Sequence, residues 1–152
     1  MYFVEDSNEL MAMDKKFKTC RASESALRPQ DCFVYMDDRH SRGSDLKFMR
    51  TAKAAVTIGK GMTKDKLLQA VMRMRQLGEG QTVVFWGTSE ITSLLLAENP
   101  NLAGDHHKIT SQHIMAWTMS NTSLAATKGV EQWAGEGLCY LLRKQVIGDG
   151  FV

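Results

Sequence analysis

Hydrophobic residues fall in short continuous runs in the middle of the chain and at helical spacing between and after them. Cys32-Phe33-Val34-Tyr35-Met36, Ala54-Ala55-Val56-Thr57-Ile58 and Thr82-Val83-Val84-Phe85-Trp86 are three such runs. Near-continuous apolar runs of this length predict strands covered on both faces. The first strand is expected over residues 32–37, the second over 54–59, ended by Gly59 and Gly61, and the third over 81–86. Between the first two lies Asp37-Asp38-Arg39-His40-Ser41-Arg42-Gly43-Ser44-Asp45-Leu46, a polar loop at a strand's carboxyl end, the edge where open α/β sheets bind ligands.

Between the second and third runs the period changes to that of a helix. Thr63 is a suitable N-cap, Asp65 and Lys66 fall in the first turn, and Gly78 suits the carboxyl end, so a helix is expected to about Leu77. Leu67, Leu68, Val71, Met72 and Met74 then share an apolar face, and Gln69, Arg73 and Gln76 the opposite one. Arg75 projects into the apolar arc. If the helix is regular to that point, its guanidinium needs a carboxylate, with Asp37, Asp38 and Asp45 as candidates. If the last turn frays, it points to solvent.

The flanks read differently. Residues 1–30 scatter Phe3, Val4, Leu10, Met11 and Met13 among charges and predict no defined element. Lys15-Lys16-Phe17-Lys18 reads as a solvated face, and Pro29 ends any helix before it. Ser89 to Ala97 predicts a short helix capped by Thr88 or Ser89. Residues 99–108, opening on Asn99-Pro100-Asn101, read as a linker. Over 109–148, one helix starts at Thr110 or Ser111 and a second at Asn121 or Thr122, with Gly129, Gly135 and Gly137 weakening the latter. The fold class that follows is α/β: a partial parallel sheet over 31–98 with a C-terminal helical extension.

Composition narrows this only slightly. A length of 152 residues, 43% apolar and 24% charged, is that of one ordinary globular domain. The net charge of +2 carries no strong nucleic-acid signal, and no run approaches the ~18 apolar residues of a membrane span. The acidic first ten residues show no secretory signal. Cys20, Cys32 and Cys139 are odd in number and widely spaced, which points to a reducing intracellular compartment, cytoplasmic or nuclear.

Arg42-Gly43-Ser44-Asp45-Leu46, followed by Gln69, Arg73 and Gly78, resembles motifs V and VI of superfamily 2 helicases, in the version of SecA-type translocation ATPases. The resemblance implies that residues 31–98 form a partial RecA-like lobe of the helicase C-terminal type, and that Arg42, Gly43, Asp45, Gln69 and Arg73 face a nucleotide across a cleft between two lobes. Gly43 would let backbone approach a phosphate, Asp45 would hold a water or an arginine, and Arg73 would stabilise charge on the transferred phosphoryl group. Departures stand beside it. The helicase motif's second arginine position is Gln76, the glycine before the first arginine is Met72, and no Gly-x-x-x-x-Gly-Lys-Ser/Thr loop is present. No cofactor is therefore expected in this segment, and ATP-Mg enters only with a first lobe supplied from elsewhere.

A second resemblance covers about residues 30 to 145. Asp37 to Lys47, and Thr63 to Gln81, are similar to segments of very large eukaryotic proteins labelled ubiquitinyl hydrolases, or ubiquitin thioesterases; Trp117, Asn121-Thr122 and Trp133 also fit. Members read Asp-Glu-Ala-His where this chain has Asp37-Asp38-Arg39-His40. This resemblance implies a fragment of a cysteine-type hydrolase acting on ubiquitin conjugates. Its implied partners are the missing domains of the parent chain and ubiquitin or a ubiquitinated protein. No protease motif maps onto these residues, so the catalytic residues are unknown. A non-catalytic interaction module is the other class of reading.

Other constellations weigh less. Cys32 and Cys139 are expected as core thiols, and Cys20 with His40 is the one in-chain thiol–imidazole pair to consider. His106, His107 and His113 fit a polar linker and helix face better than a metal site. Trp86, Trp117 and Trp133 are expected in core or interdomain packing.

Overall fold

The computed structural model describes residues 1–4, 7–41, 45–102 and 104–147. It is a mixed α/β arrangement with a small parallel sheet and a long C-terminal helix. Two compact units divide the chain: Met1–Gly59 with Asp65–Ile91, and Lys60–Lys64 with Thr92–Val152.

The first unit opens with a three-stranded antiparallel sheet, β1 (Tyr2–Phe3), β2 (Leu10–Met13) and β3 (Thr19–Arg21), in sequence order. The N-terminal segment thus has defined structure. The β2–β3 turn is closed by Asp14, whose Oδ1 accepts from the backbone N–H groups of Lys16 (2.7 Å) and Lys18 (2.9 Å). Phe17, at φ 62°, sits exposed in that turn. Ala12 in the central strand is buried.

The parallel sheet is β4 (Lys53–Ile58) against β5 (Thr82–Gly87), with Val56 beside Phe85 and Thr57 beside Trp86. Both strands lie where their apolar runs place them. One face, carrying Val56 and Ile58, is buried; the other exposes Lys53, Ala55, Thr57, Thr82, Val84 and Trp86. These strands are therefore covered on one side, and Trp86 is not a core residue.

The expected strand over residues 32–37 does not join this sheet. Its backbone is engaged elsewhere: Phe33 O accepts from the Met1 amine (2.6 Å), Tyr35 N donates to Met1 O (2.9 Å), and Tyr35 forms an isolated parallel bridge with Tyr2. Phe33 and Tyr35 are exposed, at 85% and 62%. The run is an edge addition to the N-terminal sheet, and the following loop does not leave a strand of the parallel sheet.

Helix α1 (Lys64–Val71) ends about one and a half turns before the expected stop. Beyond it the chain tightens, with Arg73 N donating to Ala70 O, Met74 N to Val71 O and Leu77 N to Met74 O. Gln81, only 3% exposed, holds this turn. Its Oε1 accepts from Gln76 N (2.9 Å), and its Nε2 donates to Met49 O (2.9 Å). Gly78 (φ 85°) and Gly80 (φ 125°) supply the left-handed backbone the turn needs. Gly78 thus serves the turn and not the helix cap. The five-residue apolar face also fails: Leu67 and Met74 are buried, while Met72 is 65% exposed.

Helix α2 (Ser89–Glu98) matches its expectation, and Thr88 Oγ1 accepts from Ile91 N (3.4 Å) at its start. In the second unit, short 3-10 turns at Pro100–Leu102 and His106–Lys108 occupy the linker region. Helix α3 then runs unbroken from Ser111 to Ile147. The expected second start at Asn121 or Thr122 is absent because those side chains are used otherwise. Thr122 Oγ1 donates to Thr118 O (2.7 Å) and accepts from Lys64 N (2.9 Å), while Asn121 Nδ2 donates to Met62 O (3.1 Å). Among the described residues, no helix is long and apolar enough to cross a membrane.

Candidate functional site

The loop that begins at Asp37 is built around one carboxylate. Asp37 Oδ1 accepts from His40 N (2.7 Å) and meets His40 Nδ1 (2.7 Å), while Ser41 N donates to Asp37 O (3.0 Å). An aspartate that binds the backbone three residues on is the expected initiator of such a turn. Ser41 Oγ adds a bond to Asp38 O (2.7 Å). His40 N–H and the His40 ring hold the Asp37 carboxyl below its ordinary pKa, the backbone bond contributing most.

His40 is the buried centre of this loop, 5% exposed. Its Nε2 lies 2.7 Å from Asn8 Oδ1, and its ring stacks on Phe3 at 4.5 Å between centroids. The loop is thereby fastened to the N-terminal sheet. Nothing in the order of residues brings Asn8 or Phe3 to His40. The polar stretch containing Ser7-Asn8, between the apolar pairs Phe3-Val4 and Leu10-Met11, is the one local signal for a turn there.

Two ion pairs fasten the loop to the α1 region. Lys66 Nζ lies 3.0 Å from Asp38 Oδ2, and Arg75 Nη2 lies 2.7 Å from Asp45 Oδ1. Of the three carboxylates considered for Arg75, Asp45 is therefore the partner. The pair is on the surface, at 62% and 65% exposure, because α1 stops before Arg75 and no apolar arc receives it. Asp37 bonds His40 and Asp38 bonds Lys66.

The nucleotide-facing candidates are placed unevenly. Arg42 and Gly43 lie outside the described residues. Asp45 is exposed and engaged with Arg75. Gln69 is on α1, half-buried, with Oε1 buried and accepting no hydrogen bond among the described residues. Arg73 is half-buried and lies past the end of α1, as does Gln76, so the three do not form one helical face.

The other constellations resolve simply. Both His40 ring nitrogens face side-chain oxygens, of Asp37 and Asn8, which leaves neither aimed at a thiol. Cys20 and Cys139 are exposed and Cys32 is half-buried, so Cys139 is not a core thiol. Rings of His106 and His107 stand 4.0 Å apart, while His113 Nδ1 accepts from Thr110 N (3.0 Å). Among the described residues, no three His, Cys, Asp or Glu side chains are grouped as metal ligands. Comparison with protein-family models, with curated proteins and with solved structures finds no match to this chain.

Proposed function

We propose that this chain is a non-catalytic, helicase-C-like lobe of a large ubiquitinyl-hydrolase-type protein, working through its contacts with ubiquitin and with the rest of that protein. The observation that carries this reading is the use made of the loop's charges. Asp37, Asp38 and Asp45 each have a partner within the first unit, His40, Lys66 and Arg75. Charges spent on fastening a loop to its scaffold favour a shaped surface over a reacting centre. The engagement of both His40 ring nitrogens supports the same conclusion, since cysteine hydrolysis of an isopeptide needs an imidazole directed at the thiol. On this reading the nucleophile that cleaves the ubiquitin linkage belongs to another part of the parent protein.

The alternative, the second lobe of an ATP-driven motor, has one observation in its favour. Asp38 and Asp45 are each joined by an ion pair to the segment from α1 to Arg75, through Lys66 and Arg75. Thermal unfolding with mono-ubiquitin, ATP-Mg and ADP-Mg, each added separately, distinguishes the readings. The expected result is a rise in melting temperature with ubiquitin alone. A nucleotide-dependent rise that disappears in Arg73→Ala would overturn the proposal in favour of the motor.

A further inference from the structure

Every described side chain of α3 from Ser123 to Gln145 is exposed, yet the sequence there is not that of a solvated helix. Ala126, Val130, Trp133, Gly137, Tyr140 and Lys144 recur at alternating spacings of four and three residues. That is the spacing of a coiled-coil seam, with Val130, Gly137 and Lys144 at the a positions and Ala126, Trp133 and Tyr140 at the d positions; Val130, Trp133 and Tyr140 are its large apolar members. Trp133 is 76% exposed and Tyr140 66%.

The flanking residues choose the occupant. Glu136 and Arg143 are one heptad apart on the same flank, the g positions, and Ala134 and Leu141 occupy the other flank, the e positions. Parallel pairing sets g against e and would place Glu136 beside the partner's Leu141. Antiparallel two-fold pairing sets g against g and joins Glu136 to the partner's Arg143, twice by symmetry. The same register sets Tyr140 against the partner's Gly137, a large side chain over a position with none. Ala134 meets the partner's Leu141. One register thus satisfies charge and size together, and its partner is a second copy of this helix.

We infer that the C-terminal half of α3 is a self-association surface, forming an antiparallel two-helix pair between two copies of this chain. The four aromatic side chains, Trp133 and Tyr140 of each copy, bring at most roughly 600–1,000 Å² to the contact, the size of a weak interface. Association is accordingly expected in the micromolar range.

Sedimentation velocity over a wide concentration range tests this, with far-UV circular dichroism to confirm that each variant stays helical. The wild-type chain is expected to pass from monomer to dimer. Glu136→Arg and Arg143→Glu are each expected to weaken the dimer about tenfold. An equimolar mixture of the two is expected to recover wild-type affinity, because the mixed pair restores both opposite-charge contacts. A chain that stays monomeric, or single variants that dimerise as the wild type does, would overturn the inference. So would a mixture no tighter than its components.

Discussion

The two halves of α3 share one backbone and differ in everything else. In the first half Ile114, Trp117 and Thr118 are buried, and Asn121 and Thr122 bond the 62–64 segment. In the second half Val130, Trp133, Tyr140 and Leu141 are as apolar and stand in solvent. Burial is therefore set by whether a partner is supplied, and the apolar character of a residue alone does not provide one. The comparison separates residues that hold the fold from residues kept for something else.

The largest expected effect breaks that comparison directly. Trp117→Ala should destabilise the chain by about 3–5 kcal/mol through loss of buried area and the cavity left behind. Trp133→Ala should change monomer stability by less than about 0.5 kcal/mol. Urea unfolding monitored by circular dichroism checks both, and equal losses would erase the distinction between the halves.

Gly80→Ala comes next. A Cβ there would lie 2.7 Å from Arg50 O, at a φ of 125° that L-residues avoid. Its cost should be about 1–3 kcal/mol. Gly129→Ala, with open space around it, should instead stabilise α3 by about 1 kcal/mol or less. Thermal melts of the two variants should move in opposite directions.

A smaller, pH-dependent effect belongs to Asp37. Its carboxyl titrates below its ordinary value in the folded chain, chiefly through the His40 backbone bond. A depressed folded pKa contributes stability that is present above the unfolded value, about 3.9. That contribution is lost as pH falls through the folded value. Wild-type melting temperature should drop more steeply than that of Asp37→Asn on acidification below about pH 4. Parallel curves would remove Asp37 from the loop's support.

Smallest of all is the surface pair Arg75–Asp45. A double-mutant cycle with alanine at both positions should give a coupling of about 0–1 kcal/mol, diminished by salt. A larger, salt-insensitive value would mean that the pair is shielded from water.

Much of the central unit was legible in the residues. Apolar runs located β4 and β5, Thr88 located α2, and parallel pairing followed from strand–helix–strand order. Where the structure departs from the sequence pattern, one cause is a residue type with two uses. Gly78 ends helices, yet here it turns the backbone for the Gln81 knot. Asn121 and Thr122 cap helices, yet here they bond residues nearly sixty positions earlier. Residues 32–36 carry a strand's composition, but Met1 engages the backbone of Phe33 and Tyr35. The N-terminal sheet was hidden because strands of two to four residues show no measurable period. At the site, pairing of the loop with Arg75 was foreseeable from charge, whereas the Asn8–His40–Phe3 cluster depends on a long-range contact no local pattern encodes.

The most direct test of the central claim is a nuclear magnetic resonance titration of the ¹⁵N-labelled chain, first with ATP-Mg and then with mono-ubiquitin. No saturable nucleotide-induced shifts are expected at the Asp45, Gln69 and Arg73 amides, and saturable shifts with ubiquitin are expected on the exposed surface. Saturable shifts with ATP-Mg at those three amides, and none with ubiquitin, would contradict the central claim.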